Sequence, residues 1–132
     1  SVAGYEASVS LTLLEAMIQC ETEHSPMLLT FYDAPVADIL TPVLANQETF
    51  AFSLVVFPHD ANVQGQLVTA RVKQDEQATW PALRSNSDYI GQLYAKNPAA
   101  KVLCLAELLK HPEGQIVMPL SSGTALTISC EE

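Results

Sequence analysis

The sequence predicts an α/β fold, with a central mixed sheet and helices on its faces. Three observations predict it. Met27–Tyr32 and Phe50–Phe57 are nearly continuous apolar runs of strand length, the pattern of strands buried on both faces. Between them, Val36, Ile39 or Leu40, Val43 and Leu44 recur with helical spacing. Strand, helix and strand in that order read as a βαβ unit, a parallel pair with a right-handed crossover. Near the other end, Gln115–Leu120 and Thr124–Ile128 flank Ser121-Ser122-Gly123, a hairpin signal.

The first helix is expected over Ser8–Glu23. Leu11, Leu14 and Ile18 share one face, with Leu13 and Met17 beside it. His24-Ser25-Pro26 ends it, because the residue before proline is pushed out of the α region. Met27–Tyr32 is the first strand. Pro35 is tolerated near a helix start, so the next helix begins at Ala34–Val36. Pro42 removes a backbone hydrogen bond inside that helix and kinks it. Asn46-Gln47-Glu48 closes it, and Phe50–Phe57 is the second strand.

Val63–Gln77 supports two readings. As a strand, the β-branched Leu67–Val72 makes a hairpin with the strand before it. As a helix, Val63, Leu67 and Ala70 fall on one face, and Asp60 or Asn62 supplies a cap. Tyr89–Ala95 has helical spacing in Ile90, Leu93 and Tyr94, and Asn97-Pro98 breaks it. Ala99–Lys110 is helical, with Val102, Leu105 and Leu109 in one stripe. Lys110 and His111 suit the negative end of its dipole. The expected core comprises Leu29, Phe31, Leu54, Val56, Leu105 and Leu109.

The chain has 132 residues, 48% of them hydrophobic and 16% charged. That suits one globular domain over 1–132 with a sizeable core. No apolar run reaches the length of a membrane span, so no membrane insertion is expected. The net charge of −9 argues against nucleic acid, which is bound by basic residues that neutralise phosphate. It also disfavours anionic membrane surfaces and permits a basic protein partner.

Candidate chemistry is sparse. Cys20, Cys104 and Cys130 are far apart, so spacing yields neither a C-x-x-C redox site nor a zinc knuckle. Cys104 reads as a small buried hydrophobe. Cys20 lies near a helix C-terminus, where the dipole disfavours a thiolate. Cys130 lies beside Glu131 and Glu132, whose charges raise a thiol pKa. His24, His59 and His111 each end a segment and read as loop histidines, with no metal implied. Asp33 reads as a helix cap and Asp38 as a first-turn charge that complements the dipole. No Ser-His-Asp order, G-x-S-x-G or P-loop is present, and no cofactor is indicated.

Phe31-Tyr32-Asp33-Ala34-Pro35-Val36-Ala37-Asp38-Ile39 resembles the F-x-D-x-x-C-x-x-C segment of thioredoxin-fold disulfide isomerases of the DsbC/DsbG type. Val36 and Ile39 stand where the two cysteines would be. Val55-Val56-Phe57-Pro58 is similar to the strand ending in Phe-Pro in that family. Ala70–Asp75, with Ala78-Thr79-Trp80, resembles a helical stretch that follows it. His111-Pro112, the two apolar runs and Ser121-Ser122-Gly123 resemble the cis-proline and terminal hairpin.

The resemblance implies a thioredoxin-like fold with a helical insertion before the terminal hairpin, a helix over Val63–Gln77 and a cis His111-Pro112 bond. It also implies an extracytoplasmic, periplasmic setting. Valine and isoleucine cannot attack sulfur, so the expected function is a non-catalytic thioredoxin-like module. The resemblance implies a protein or extended peptide as the partner, held in a peptide-binding groove that would comprise Tyr32, Pro35, Val36, Ile39, His111 and Pro112. Such a module would serve as an accessory factor in envelope, secretion or conjugation assembly. Two alternatives stand beside it. One is a thiol-disulfide oxidoreductase using Cys20, Cys104 or Cys130. The other is an acidic secretion-chaperone-like α+β protein in which Leu67–Val72 is a strand.

Overall fold

The computed structural model describes residues 7–33, 50–85, 87–121 and 123–131. Its elements run α1 (Ser8–Glu23), β1 (Met27–Asp33), β2 (Phe50–Val56), β3 (Leu67–Gln74), α2 (Asp88–Lys96), a 3-10 helix (Pro98–Val102), α3 (Leu103–Lys110), β4 (Gln115–Pro119) and β5 (Thr124–Glu131). The architecture is mixed α/β with two small sheets. One is the β1–β2 ribbon; the other has the order β3-β5-β4. Every pairing in them is antiparallel.

The expected parallel pair is therefore corrected. β1 and β2 pair antiparallel, from Met27 opposite Val56 to Asp33 opposite Phe50. Asp33 and Phe50 lie side by side, so no crossover is needed. The apolar runs misled because the strands are not covered on both faces. Leu29 and Phe31 are buried, whereas Leu28, Thr30 and Tyr32 are exposed. The expected helix over residues 34–48, with its kink at Pro42, lies outside the described residues.

Val63–Gln77 is also corrected: it contains strand β3 and no helix. Its β-branched Val68, Thr69 and Val72 fit a pleated surface. β3 does not pair with β2. It pairs with β5, from Leu67 opposite Glu131 to Gln74 opposite Thr124, and the partner's distance along the chain hides it from local pattern. The cis His111-Pro112 bond is the third correction, since every peptide bond among the described residues is trans. The reversal into β4 comes instead from Gly114, whose φ of 89° is open to glycine at no steric cost.

α1 ends as expected. His24 adopts the left-handed conformation, and its N–H donates to the Cys20 carbonyl. The buried face of α1 is Val9, Ser10, Leu13 and Cys20; of the expected stripe, Leu14 is half-buried against the core and Ile18 is exposed. The hydroxyl of Ser10 donates to the Pro119 carbonyl at 2.6 Å, which ties α1 to β4. α2 starts where Ser87 accepts from the Ile90 N–H, an N-cap of the usual type.

The helix expected over Ala99–Lys110 begins instead as the 3-10 turn. Asn97 accepts from the N–H groups of Ala99 and Ala100 at 3.0 and 3.3 Å. Asp33 accepts from Ala99 at 3.1 Å, so it caps this turn from the end of β1. Lys101 is buried there, and its ammonium donates to the Tyr94 carbonyl at 2.7 Å.

The core lies between α1, the inner face of β1–β2, the 3-10 turn with α3, and β4–β5. Leu29, Phe31 and Leu105 are in it as expected, joined by Val102, Leu108, Met118, Leu126 and Ile128. Leu54, Val56 and Leu109 are half-buried against it.

Candidate functional site: an apolar cleft between two strand edges

Buried core residues and half-buried residues packed against them line a cleft of about 450 Å³. Its floor is Leu13 and Met17 of α1, Leu105 and Leu109 of α3, and Ile128 of β5. One wall is the stretch from Leu54 to His59, at the end of β2. The other runs from Val63 to Val68, into the start of β3. Leu54–Val56 of one wall and Leu67 and Val68 of the other are strand residues, and the rest of both walls belongs to the segment that connects β2 to β3. β2 pairs only with β1, and β3 only with β5, among the described residues. Each therefore has one edge without a strand partner, although on β2 the Val56 carbonyl accepts from the Cys20 thiol.

The rim is pinned to the last turn of α1. Glu21 accepts from the His59 backbone N–H at 2.7 Å and meets His59 Nδ1 at 2.8 Å. His24 Nε2 lies 3.4 Å from Asp60 Oδ1, and the Cys20 thiol donates to the Val56 carbonyl at 3.6 Å. The hydrogen bond to Glu21 raises the His59 pKa, and the same bonds lower that of Glu21. Two of the three histidines thus serve as pins. Among the described residues no group of three or more His, Cys, Asp or Glu side chains is placed to hold a metal ion.

The thiols are poor nucleophiles. Burial raises the pKa of Cys20, with Glu21 adding to it. Burial pushes Cys104 up to about 11 and raises Cys130. All three are free.

Of the residues expected to form the groove, Tyr32 is exposed on the outer face of β1, His111 caps α3 and is exposed, and Pro112 is half-buried after it. None of these three lines the cleft. Pro35, Val36 and Ile39 lie outside the described residues. Sequence reasoning placed Leu54, Leu105 and Leu109 in the core but did not join them to Met17 or Glu21. A weak signal existed in the polar break at His59-Asp60, which separates two apolar runs.

Comparison with protein families, curated proteins and solved structures returns no match. Among the described residues no helix is long and apolar enough to cross a membrane.

Proposed function

We propose that this chain is a non-catalytic protein-binding module that holds an extended, largely apolar segment of a partner polypeptide in the cleft. The observation that carries this reading is that the end of β2 and the start of β3, each paired with only one other strand among the described residues, meet over an apolar floor. An extended segment adds as a strand to such an edge. Main-chain hydrogen bonds then supply affinity, and pockets for alternate side chains supply specificity. The net charge of −9 favours basic residues flanking the apolar positions.

The thioredoxin-like module was the expected reading, and the acidic secretion-chaperone-like α+β protein was a rival to it. The thioredoxin-like one called for a parallel βαβ pair, a helix over Val63–Gln77 and a cis proline at Pro112. The acidic secretion-chaperone-like α+β one called for a strand over Leu67–Val72, and β3 favours it. In that role the chain would guard an aggregation-prone segment of a protein bound for export, as an accessory factor in secretion or envelope assembly.

The test is calorimetric titration with short peptides that alternate leucine or valine with polar residues and carry lysine flanks. Micromolar binding is expected. Met17→Glu and Leu54→Glu should each weaken it at least tenfold. Backbone N-methylation of the peptide on alternate residues should abolish binding through loss of ladder donors. A peptide indifferent to N-methylation would rule out strand addition.

A further inference from the structure

We propose that the outer face of the β3-β5-β4 sheet carries a binding site for a phosphate monoester, formed by Arg71, Lys73 and the hydroxyl of Thr127. Met118, Leu126 and Ile128 belong to the core cluster. Side chains alternate along a strand, so Ala125, Thr127 and Ser129 face the other way. Register sets Arg71 of β3 beside Thr127, Lys73 beside Ala125, and Val117 of β4 on the far side of Thr127. Arg71 and Lys73 are exposed. Among the described residues neither makes a side-chain hydrogen bond or an ion pair.

Thr127 distinguishes this place from a merely solvated pair of charges. It is 8% exposed, and its hydroxyl is buried without a partner. Buried polar atoms are nearly always bonded, and one left bare marks a place where a water, an ion or a function completes the bond. A valine would fill the same β-branched space without that cost. The hydroxyl lies between Arg71 and Val117 in the ladder. Arg71 is not held by any bond of its own, so a swing of that side chain opens the oxygen to a ligand.

The three groups can meet on one anion. Cross-strand neighbours have Cβ atoms ~5 Å apart, and residues two apart on a strand are separated by ~6.6 Å. A guanidinium donates to two oxygens in parallel, an ammonium adds a compact charge, and a threonine hydroxyl supplies one more donor. A phosphate monoester offers three terminal oxygens and ~1.5–2 negative charges at neutral pH. A carboxylate offers two oxygens and a single charge. The net charge of −9 opposes anions at long range, but this face is locally cationic. On it β5 carries one carboxylate, Glu131, which accepts from the Thr69 hydroxyl. Glu131 is four residues from Thr127, ~13 Å along the strand, beyond the ~8 Å screening length of physiological salt. Glu76 lies near Gly123 at the turn and forms no ion pair with Lys73.

An NMR titration of the whole, isotope-labelled chain with inorganic phosphate, at constant ionic strength and neutral pH, tests this. Saturable millimolar binding is expected, with shifts centred on the amides of Arg71, Lys73 and Thr127. Acetate should bind at least tenfold more weakly. Arg71→Gln and Lys73→Gln should each weaken phosphate binding at least fivefold, and both should stay folded because these side chains are exposed. Thr127→Val should also weaken it at least fivefold while raising the thermal midpoint, and Thr127→Ser, which keeps the hydroxyl, should bind as the wild type does. A threonine with only a structural role would not couple a gain in stability to a loss of phosphate. The proposal is overturned by a response that does not saturate, by chloride or acetate acting as strongly as phosphate, or by Thr127→Val or Arg71→Gln binding phosphate as tightly as the wild type.

Discussion

Thr127→Val should stabilise the protein. Thr127 sits in the middle of β5, the central strand of its sheet, opposite Arg71 on β3 and Val117 on β4. It is 8% exposed, and its hydroxyl oxygen is buried with no hydrogen-bond partner. A buried donor without a partner costs ~1–3 kcal/mol relative to leaving it in water. Valine keeps the β-branched shape and replaces the hydroxyl with a methyl, so the strand's packing is preserved and the penalty disappears. A gain of about 1–2 kcal/mol is expected. Urea unfolding should show a higher midpoint with an unchanged slope, the signature of stability altered without a change in exposed surface. In heat the midpoint should rise by several degrees, at ~2–8 °C per kcal/mol for a domain of this size. Thr69→Val is the control. The Thr69 hydroxyl donates to a Glu131 carboxylate oxygen at 2.8 Å, so its removal loses a bond and should bring no gain. Stabilities of Thr127→Val at or below wild type would mean that the hydroxyl is satisfied in solution, and the reasoning would fail.

The Glu21–His59 pin has a definite pH dependence. The His59 pKa is raised in the folded state, so the pin's contribution is complete below the ordinary histidine value and is lost as pH rises through the folded one. Glu21 is lowered, so the contribution is also lost when pH falls through its folded value. NMR titration should place His59 above the ordinary ~6.5, and Glu21→Gln should bring it back; a His59 unmoved by that substitution would break the assignment. Leu105→Ala should cost ~2–5 kcal/mol in urea unfolding, as for a buried leucine under poor relaxation, and a loss well under ~1 kcal/mol would place Leu105 outside the core. With Cys104 pushed up to about 11, its thiol should not react with a disulfide reagent at pH 8 until the chain unfolds. Wild-type protein should show no insulin reductase activity, and activity lost on Cys130→Ser would reinstate the oxidoreductase alternative.

Local signals read well and long-range ones did not. The end of α1 was legible because the residue before Pro26 is pushed out of the α region, and α2 because Ile90, Leu93 and Tyr94 recur with helical spacing. The terminal hairpin was legible from two apolar runs and one glycine turn, with Gly123 at a φ of 80°. The direction of the β1–β2 pair was not legible. A strand sandwiched between helices and a ribbon with an apolar outer face give the same run of residues, and only the pairing tells them apart. β3 was misread because Val63, Leu67 and Ala70 fit helical spacing as well as Leu67–Val72 fits a strand, and its true partner lies at the other end of the chain. The cleft was half legible. Leu54, Leu105 and Leu109 were expected inside, but the pairing of Glu21 with His59 spans a sequence separation of 38 that no local pattern reveals.

The cleft joins a firm floor to an adjustable rim. Leu13, Leu105 and Ile128 belong to the buried cluster, so any shift of the floor disturbs close packing and is resisted. The wall from Phe57 to Leu67 is largely exposed and is tied to α1 through Glu21, His24 and Cys20. Exposed ion pairs hold such a wall only weakly, because solvent screens them. An incoming strand can therefore displace the wall at small cost while the floor keeps its shape. Affinity should then come from the apolar floor, and tolerance of different partner sequences from the rim. Stiffening the wall, for example by proline at a compatible position, should narrow the range of peptides bound while tightening those that still fit, because less ordering remains to oppose binding.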